Sequence, residues 1–181
     1  MRLLLAILLA TAANAAVITF DFESLADDTP VTNQLSGLTF TNTRSLSAGL
    51  TLNELLFPPR SGSVVLADIG GAIEIQFTDP VLIFSGFFTY SNTLTLSAFD
   101  VLNQAVGVTN SAFASNLASS PNPPNEQLQL SYSGGITRVA ISGSSYTLDD
   151  LELTTADASE IPEPASWILL TLGLAVIVRR R

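Results

Sequence analysis

Residues 72–90 read AIEIQFTDPVLIFSGFFTY, and the alternation in this stretch decides the fold. From Ala72 to Phe77 the residues alternate, with Ile73, Ile75 and Phe77 set against Glu74 and Gln76, which is the period of a strand with one covered face. Asp79-Pro80 signals a turn, because proline fixes its own φ and pushes the preceding residue out of the helical region. From Val81 to Tyr90 odd and even positions are both largely apolar. That suits a central strand covered on two faces, with Gly86 as a place for a bend or bulge.

Working outward, the same period-2 pattern recurs at residues 17–22 (VITFDF), 38–40, 93–99 (TLTLSAF), 127–132 (QLQLSY), 137–141 (TRVAI) and 146–153, the last with an irregularity at Asp149-Asp150. Ser133-Gly134-Gly135 lies between two alternating runs and predicts a hairpin. Residues 115–125 (SNLASSPNPPN) hold three prolines and predict a long surface loop. About nine or ten short strands and no helical period predict an all-β domain over residues 16–155. Its expected architecture is an antiparallel two-sheet jelly-roll sandwich in which the first and last strands pair or lie close.

Composition narrows the function. The chain has 181 residues, room for one domain with a hydrophobic core. It has no cysteine and no histidine, and all seven of its basic residues are arginines. Thiol chemistry, thiolate metal sites, a neutral-pH imidazole base and a lysine base are thereby excluded. Between residues 16 and 160 fifteen carboxylates face only Arg44, Arg60 and Arg138. No basic stripe for a phosphate backbone can be built, so nucleic acid is not an expected partner. Catalysis is not expected either. Serine lacks a base, and neighbouring Asp149 and Asp150 point to opposite faces of a regular strand.

The two ends carry targeting signals. Residues 1–15 give one arginine, an apolar run and then Ala13-Asn14-Ala15, the order of a secretory signal peptide cut by signal peptidase after Ala15. Residues 156–160 (ADASE) read as a spacer, and 161–181 (IPEPASWILLTLGLAVIVRRR) as a short apolar helix behind a Pro-x-Pro break. Its apolar part, residues 165–178, would give about 21 Å of helix, short of a hydrocarbon core of roughly 30 Å. Trp167 suits the outer interface and Arg179, Arg180 and Arg181 the cytoplasmic side. The expectation is transient association with the inner membrane.

Pro162, Glu163 and Pro164, the run containing Trp167 and the terminal arginines together resemble the PEP-CTERM sorting signal of Gram-negative bacteria. The resemblance implies recognition by an exosortase, removal of the tail and passage to the cell surface or extracellular matrix. It further associates such cargo with extracellular polysaccharide and biofilm. The same segment is also known as an ice-binding protein C-terminal domain, a label that gives no evidence of ice binding here.

The opening DFE, the closing DDL and the GITRVAISG strand resemble galactose-binding-like and carbohydrate-binding jelly rolls. That resemblance implies a structural calcium held by Glu23 and Asp149, with Asp150 beside it. The residues also admit carboxylates that only solvate a strand end or bulge. For a glycan the candidates are Phe87 and Tyr90 with Asn92 nearby, although aromatics at strand spacing also serve as core. Two functions therefore stand open. One is a non-catalytic module that binds extracellular polysaccharide; the other is a structural surface protein without a specific ligand.

Overall fold

The computed structural model describes residues 15–156, which form ten strands and no helix. In chain order these are β1 (Ala15–Phe20), β2 (Thr29–Val31), β3 (Leu38–Thr41), β4 (Thr43–Ser47), β5 (Val64–Asp68), β6 (Ile73–Tyr90), β7 (Thr95–Phe99), β8 (Ala105–Asn110), β9 (Glu126–Ser142) and β10 (Tyr146–Ala156). Ala13 and the rest of the expected signal peptide before Ala15, the spacer beyond Ala156 and the sorting segment 161–181 lie outside the described residues.

The fold is all-β and antiparallel, as expected. Its hydrogen bonding differs from the expected pair of separate sheets. All ten strands join one sheet in the order β2-β4-β5-β10-β6-β9-β7-β8, with β3 on β6 and β1 on β10. First and last strands are thus paired.

The reason lies in residues 72–90. Asp79-Pro80 does not turn the chain, because β6 continues through it for 18 residues. Ser133-Gly134-Gly135 does not make a hairpin, because β9 continues through it for 17. The two strands pair with each other from Ile73↔Ile141 to Phe88↔Glu126. At about 3.3 Å per residue a straight β6 would reach roughly 60 Å. A compact domain of this size is on the order of 40 Å across, so both strands must bend.

They bend where Pro80 meets Gly135. Between Gln76↔Arg138 and Val81↔Ile136, β6 spends more residues than β9, and between Val81↔Ile136 and Ile83↔Ser131 the excess falls on β9. The two excesses cancel, and the ladder resumes in the register it left. What changes is the face that looks inward. Ile73, Ile75 and Phe77 are buried before the break in β6, Phe84 and Phe88 after it; in β9 the buried set passes from Leu128 and Leu130 to Val139 and Ile141. A shift of parity on both strands turns the opposite surface of the sheet toward the core, and an interrupted ladder permits it. Phe22, Phe40, Ile75, Phe84, Phe88 and Leu148 consequently belong to one apolar cluster, each side chain contributing about 1.5–3 kcal/mol on burial.

Gly135 is suited to this crossing twice over. Its φ is +90°, and a Cβ there would stand 2.8 Å from Cβ of Pro80. Replacing it by alanine combines backbone strain with overpacking, so Gly135→Ala should lower the free energy of unfolding by about 1–3 kcal/mol. Urea denaturation of the parent and the variant measures this; equal midpoints would mean a loose crossing.

Candidate functional site

The connection 48–63 between β4 and β5 contains no strand, so its backbone groups must find partners elsewhere. Backbone carbonyls serve several of them, as that of Ser63 does for the Ala48 N–H and that of Ser47 for the Leu52 N–H, and four carboxylates fasten the segment and its ends. Asp27 Oδ1 accepts the Ser47 N–H at 2.7 Å and the Thr51 hydroxyl at 2.6 Å. Asp149 Oδ2 accepts the N–H groups of Arg60 at 2.7 Å and Ser61 at 3.2 Å. Asp150 accepts the Ser61 hydroxyl at 2.7 Å and faces Arg60 Nε at 3.3 Å. Glu23 accepts the N–H groups of Ser63 at 2.8 Å and Val64 at 2.7 Å, and the Ser63 hydroxyl at 3.0 Å.

Local backbone geometry aims these groups. β10 pairs with β6 through Asp149↔Phe87 and then Glu152↔Ser85, so one extra residue is inserted after Asp149, and Asp150 takes a φ of +44°. This is the irregularity expected at Asp149-Asp150. On a regular strand the two side chains would diverge; across the bulge both reach the same loop. Glu23 follows Phe22, whose φ of +62° is a costly conformation for a bulky residue. Burial of its ring in the core offsets that cost. Gly62, at φ +51°, leaves open the space that the Glu23 carboxylate fills.

Glu23 and Asp149 are therefore brought to one loop, but their oxygens face N–H donors. Converging N–H dipoles suit an anion and oppose a cation, whereas calcium takes six to eight oxygen ligands. Among the described residues no three acidic groups gather into a metal-sized cluster. The donor set does not fit calcium.

The protonation of the clamp varies with depth. Asp149 is 1% exposed; burial above all pushes its carboxyl up to about 6, against the bonds from Ser61 and Arg60, and the neighbouring Asp150 charge adds to the rise. Burial pushes Glu23 upward as well, but its bonds from Ser63 and Val64 together hold it below the usual carboxylate range. Asp27 also lies below that range, chiefly through the Thr51 hydroxyl.

Of the glycan candidates, Phe87 is 7% exposed, and the Arg60 guanidinium lies 3.4 Å from its ring centroid. Tyr90 is fully buried. Its hydroxyl donates to Glu126, and burial, reinforced by that carboxylate, pushes it up to about 12. Asn92 is exposed and bonds to the hydroxyls of Ser91 and Ser144. The three do not form one open face. The sequence pattern passed over Phe57, a loop aromatic that no strand period requires. It lines a cleft of about 310 Å³ between the connection 48–63 and residues of β5 and β10. A second cleft, of about 290 Å³, borders Asp100 and Arg138. That arginine is engaged by Glu74 at 3.3 Å, by Asn103 at 2.7 Å and by the Phe99 ring.

With this geometry in hand, comparison with known proteins separates the tail from the domain. The family model of the PEP-CTERM protein-sorting motif matches residues 160–181, so the chain carries that motif at its C-terminal end. The motif implies an exported protein processed by an exosortase and held transiently by its tail. Among solved structures, the K2 cleaved adhesin domain of Lys-gingipain is similar at a TM-score of 0.50 and 14% identity. The match covers 77% of this chain and all of that one, and at this identity it shows likeness of fold alone. No curated protein matches the chain.

The raised carboxyl of Asp149 makes stability depend on pH. Its folded value lies above the unfolded one, so the folded state binds this proton more tightly. The stability it contributes is complete below about pH 4 and is lost as pH rises through about 6. Relative to Asp149→Asn, the parent should lose on the order of 2–3 kcal/mol between pH 4 and pH 7. Urea titrations of both proteins at several pH values check this, and a difference that stays constant with pH would contradict it.

Proposed function

We propose that this chain is an exosortase-sorted surface or matrix protein whose β domain binds extracellular polysaccharide without catalysis. The observation that carries the sorting half is the PEP-CTERM motif over residues 160–181. Within it Pro162, Glu163 and Pro164 are the recognition element, Trp167 and the apolar run the temporary membrane helix, and Arg179, Arg180 and Arg181 the cytoplasmic stop. Ala13 and Ala15 set signal-peptide cleavage at the other end.

Absence of catalysis is supported by the residue inventory and by how the acids are used. The chain has no His, Lys or Cys. Glu23, Asp27 and Asp149 accept backbone N–H groups, and Glu74 pairs with Arg138. Acids committed in this way are poor candidates to flank a glycosidic bond. The fold is in keeping with a binding role, since the similar domain of Lys-gingipain is described as an adhesin. We read the ten-stranded sheet as doubled over itself into the two layers of a jelly roll, a view supported by the parity change in β6 and β9 and by the single core cluster.

One observation favours the second function, a structural surface protein without a specific ligand. Phe87, Tyr90 and Tyr146 are buried, so none of them offers a sugar a stacking face. The sorting half is tested by the intact mass of the exported protein from its native host. The expected mass lacks the N-terminal 15 residues and most residues after Pro164. A mass that retains Arg179 to Arg181 would count against exosortase processing.

A further inference from the structure

We propose that the cleft beside Phe57 is a saccharide site that takes a neutral pyranose residue within a longer polymer. The proposal rests on the polysaccharide-binding function above and replaces the Phe87, Tyr90 and Asn92 site expected from the sequence. Leu46, Leu52, Phe57 and Ala67 give the cleft apolar lining. Asn53, Asp68 and Ser145 line the same cleft with polar groups.

These polar groups are spare in the fold. Among the described residues the side chains of Asn53 and Ser145 make no hydrogen bond, whereas Asp68 accepts only a long bond, 3.4 Å, from the Tyr146 N–H. An amide, a hydroxyl and a carboxylate together with apolar lining match the two kinds of surface of a pyranose. Its C–H face packs on ring and aliphatic carbons, while its hydroxyls find both donors and acceptors.

Charge narrows the class. Asp68 is the one ionisable acid lining the cleft, no arginine lines it, and each of the three described arginines already faces a carboxylate elsewhere. A uronate, sulfate or phosphate would meet repulsion without compensation. The cleft is also held in shape before any ligand arrives. Its loop wall carries Thr51, bonded to Asp27, and leads into the segment clamped by Asp149, Asp150 and Glu23. A pre-ordered wall lowers the entropy lost on binding.

The test is affinity electrophoresis of the mature exported protein in gels containing hydroxyethyl cellulose, galactomannan, soluble starch or alginate. The parent should be retarded in at least one neutral gel and run freely in alginate. Phe57→Ala should abolish retardation and Asp68→Asn should weaken binding at least tenfold, with Asn92→Ala unchanged. Urea midpoints establish that each variant is folded. If Phe57→Ala proves unfolded, Asn53→Ala takes its place with the same expected loss. Retardation of the parent that survives in folded Phe57→Ala and Asp68→Asn would overturn the cleft while leaving polysaccharide binding intact. Retardation in alginate alone would overturn the neutral-sugar assignment. A parent that migrates freely in every gel would remove the polysaccharide function itself and leave the structural one.

Discussion

β6 and β9 are each long enough to serve two regions of the core, and the break at Pro80 and Gly135 lets them do so without losing register. Much of the remaining structure follows from this ladder. The second half of β6 is the surface on which β10 pairs, so the extra residue after Asp149 falls opposite Phe87 and Ser85. That bulge carries Asp149 and Asp150 beneath residues 60 and 61. The clamped segment in turn steadies one wall of the Phe57 cleft. A slip of one residue in the β6–β9 pairing would turn the inward set of one strand away from that of its partner, so apolar burial enforces the register.

The clamp shows two balances of the same forces on one loop. Asp149 accepts three backbone N–H groups, from Arg60, Ser61 and its neighbour Asp150, and Glu23 accepts two together with the Ser63 hydroxyl, so each has three donors; charge-assisted bonds of this kind are worth about 1.5–3 kcal/mol. At Asp149 the loss of hydration prevails and the acid form is favoured; at Glu23, closer to solvent, the bonds prevail and the ionised form is favoured. The number of donors is therefore not what distinguishes the two sites. Depth is. The clamp is also economical in an acidic domain, because it turns carboxylates toward amide dipoles in place of the scarce cations.

The sequence displayed the strand class because stretches with one covered face keep a period near 2, as in TLTLSAF and QLQLSY. It misled at Asp79-Pro80 and at Ser133-Gly134-Gly135. Turn residues also serve a close strand crossing, and the local chain does not disclose which use applies. β4 was hidden because its inward positions are polar: Thr43, Ser45 and Ser47 are buried, with the Ser45 hydroxyl bonding to the carbonyls of Ala26 and Thr29. β5 (VVLAD) was hidden because four consecutive buried residues leave no alternation to see. At the site, the sequence singled out Glu23 and Asp149 as ligands of one cation, whereas each fastens a different part of one loop. N–H donors are invisible in a sequence, and they decide whether two carboxylates hold a cation or a loop.

Charge and shape together set the strength of any glycan contact. A cleft whose second aromatic, Tyr146, is buried, leaving the Phe57 ring and three uncommitted polar groups, offers few interactions, and shallow sites of that size give affinities on the order of micromolar to millimolar. Surplus negative charge adds nothing toward a neutral polymer and opposes an acidic one within a Debye length of about 8 Å. A polymer, however, presents the same residue many times along its length. A released segment is followed by another within reach, and proteins held at a surface present many clefts to one chain. Retention then depends on effective concentration more than on the single-site constant, so a weak site is compatible with a durable place in a matrix.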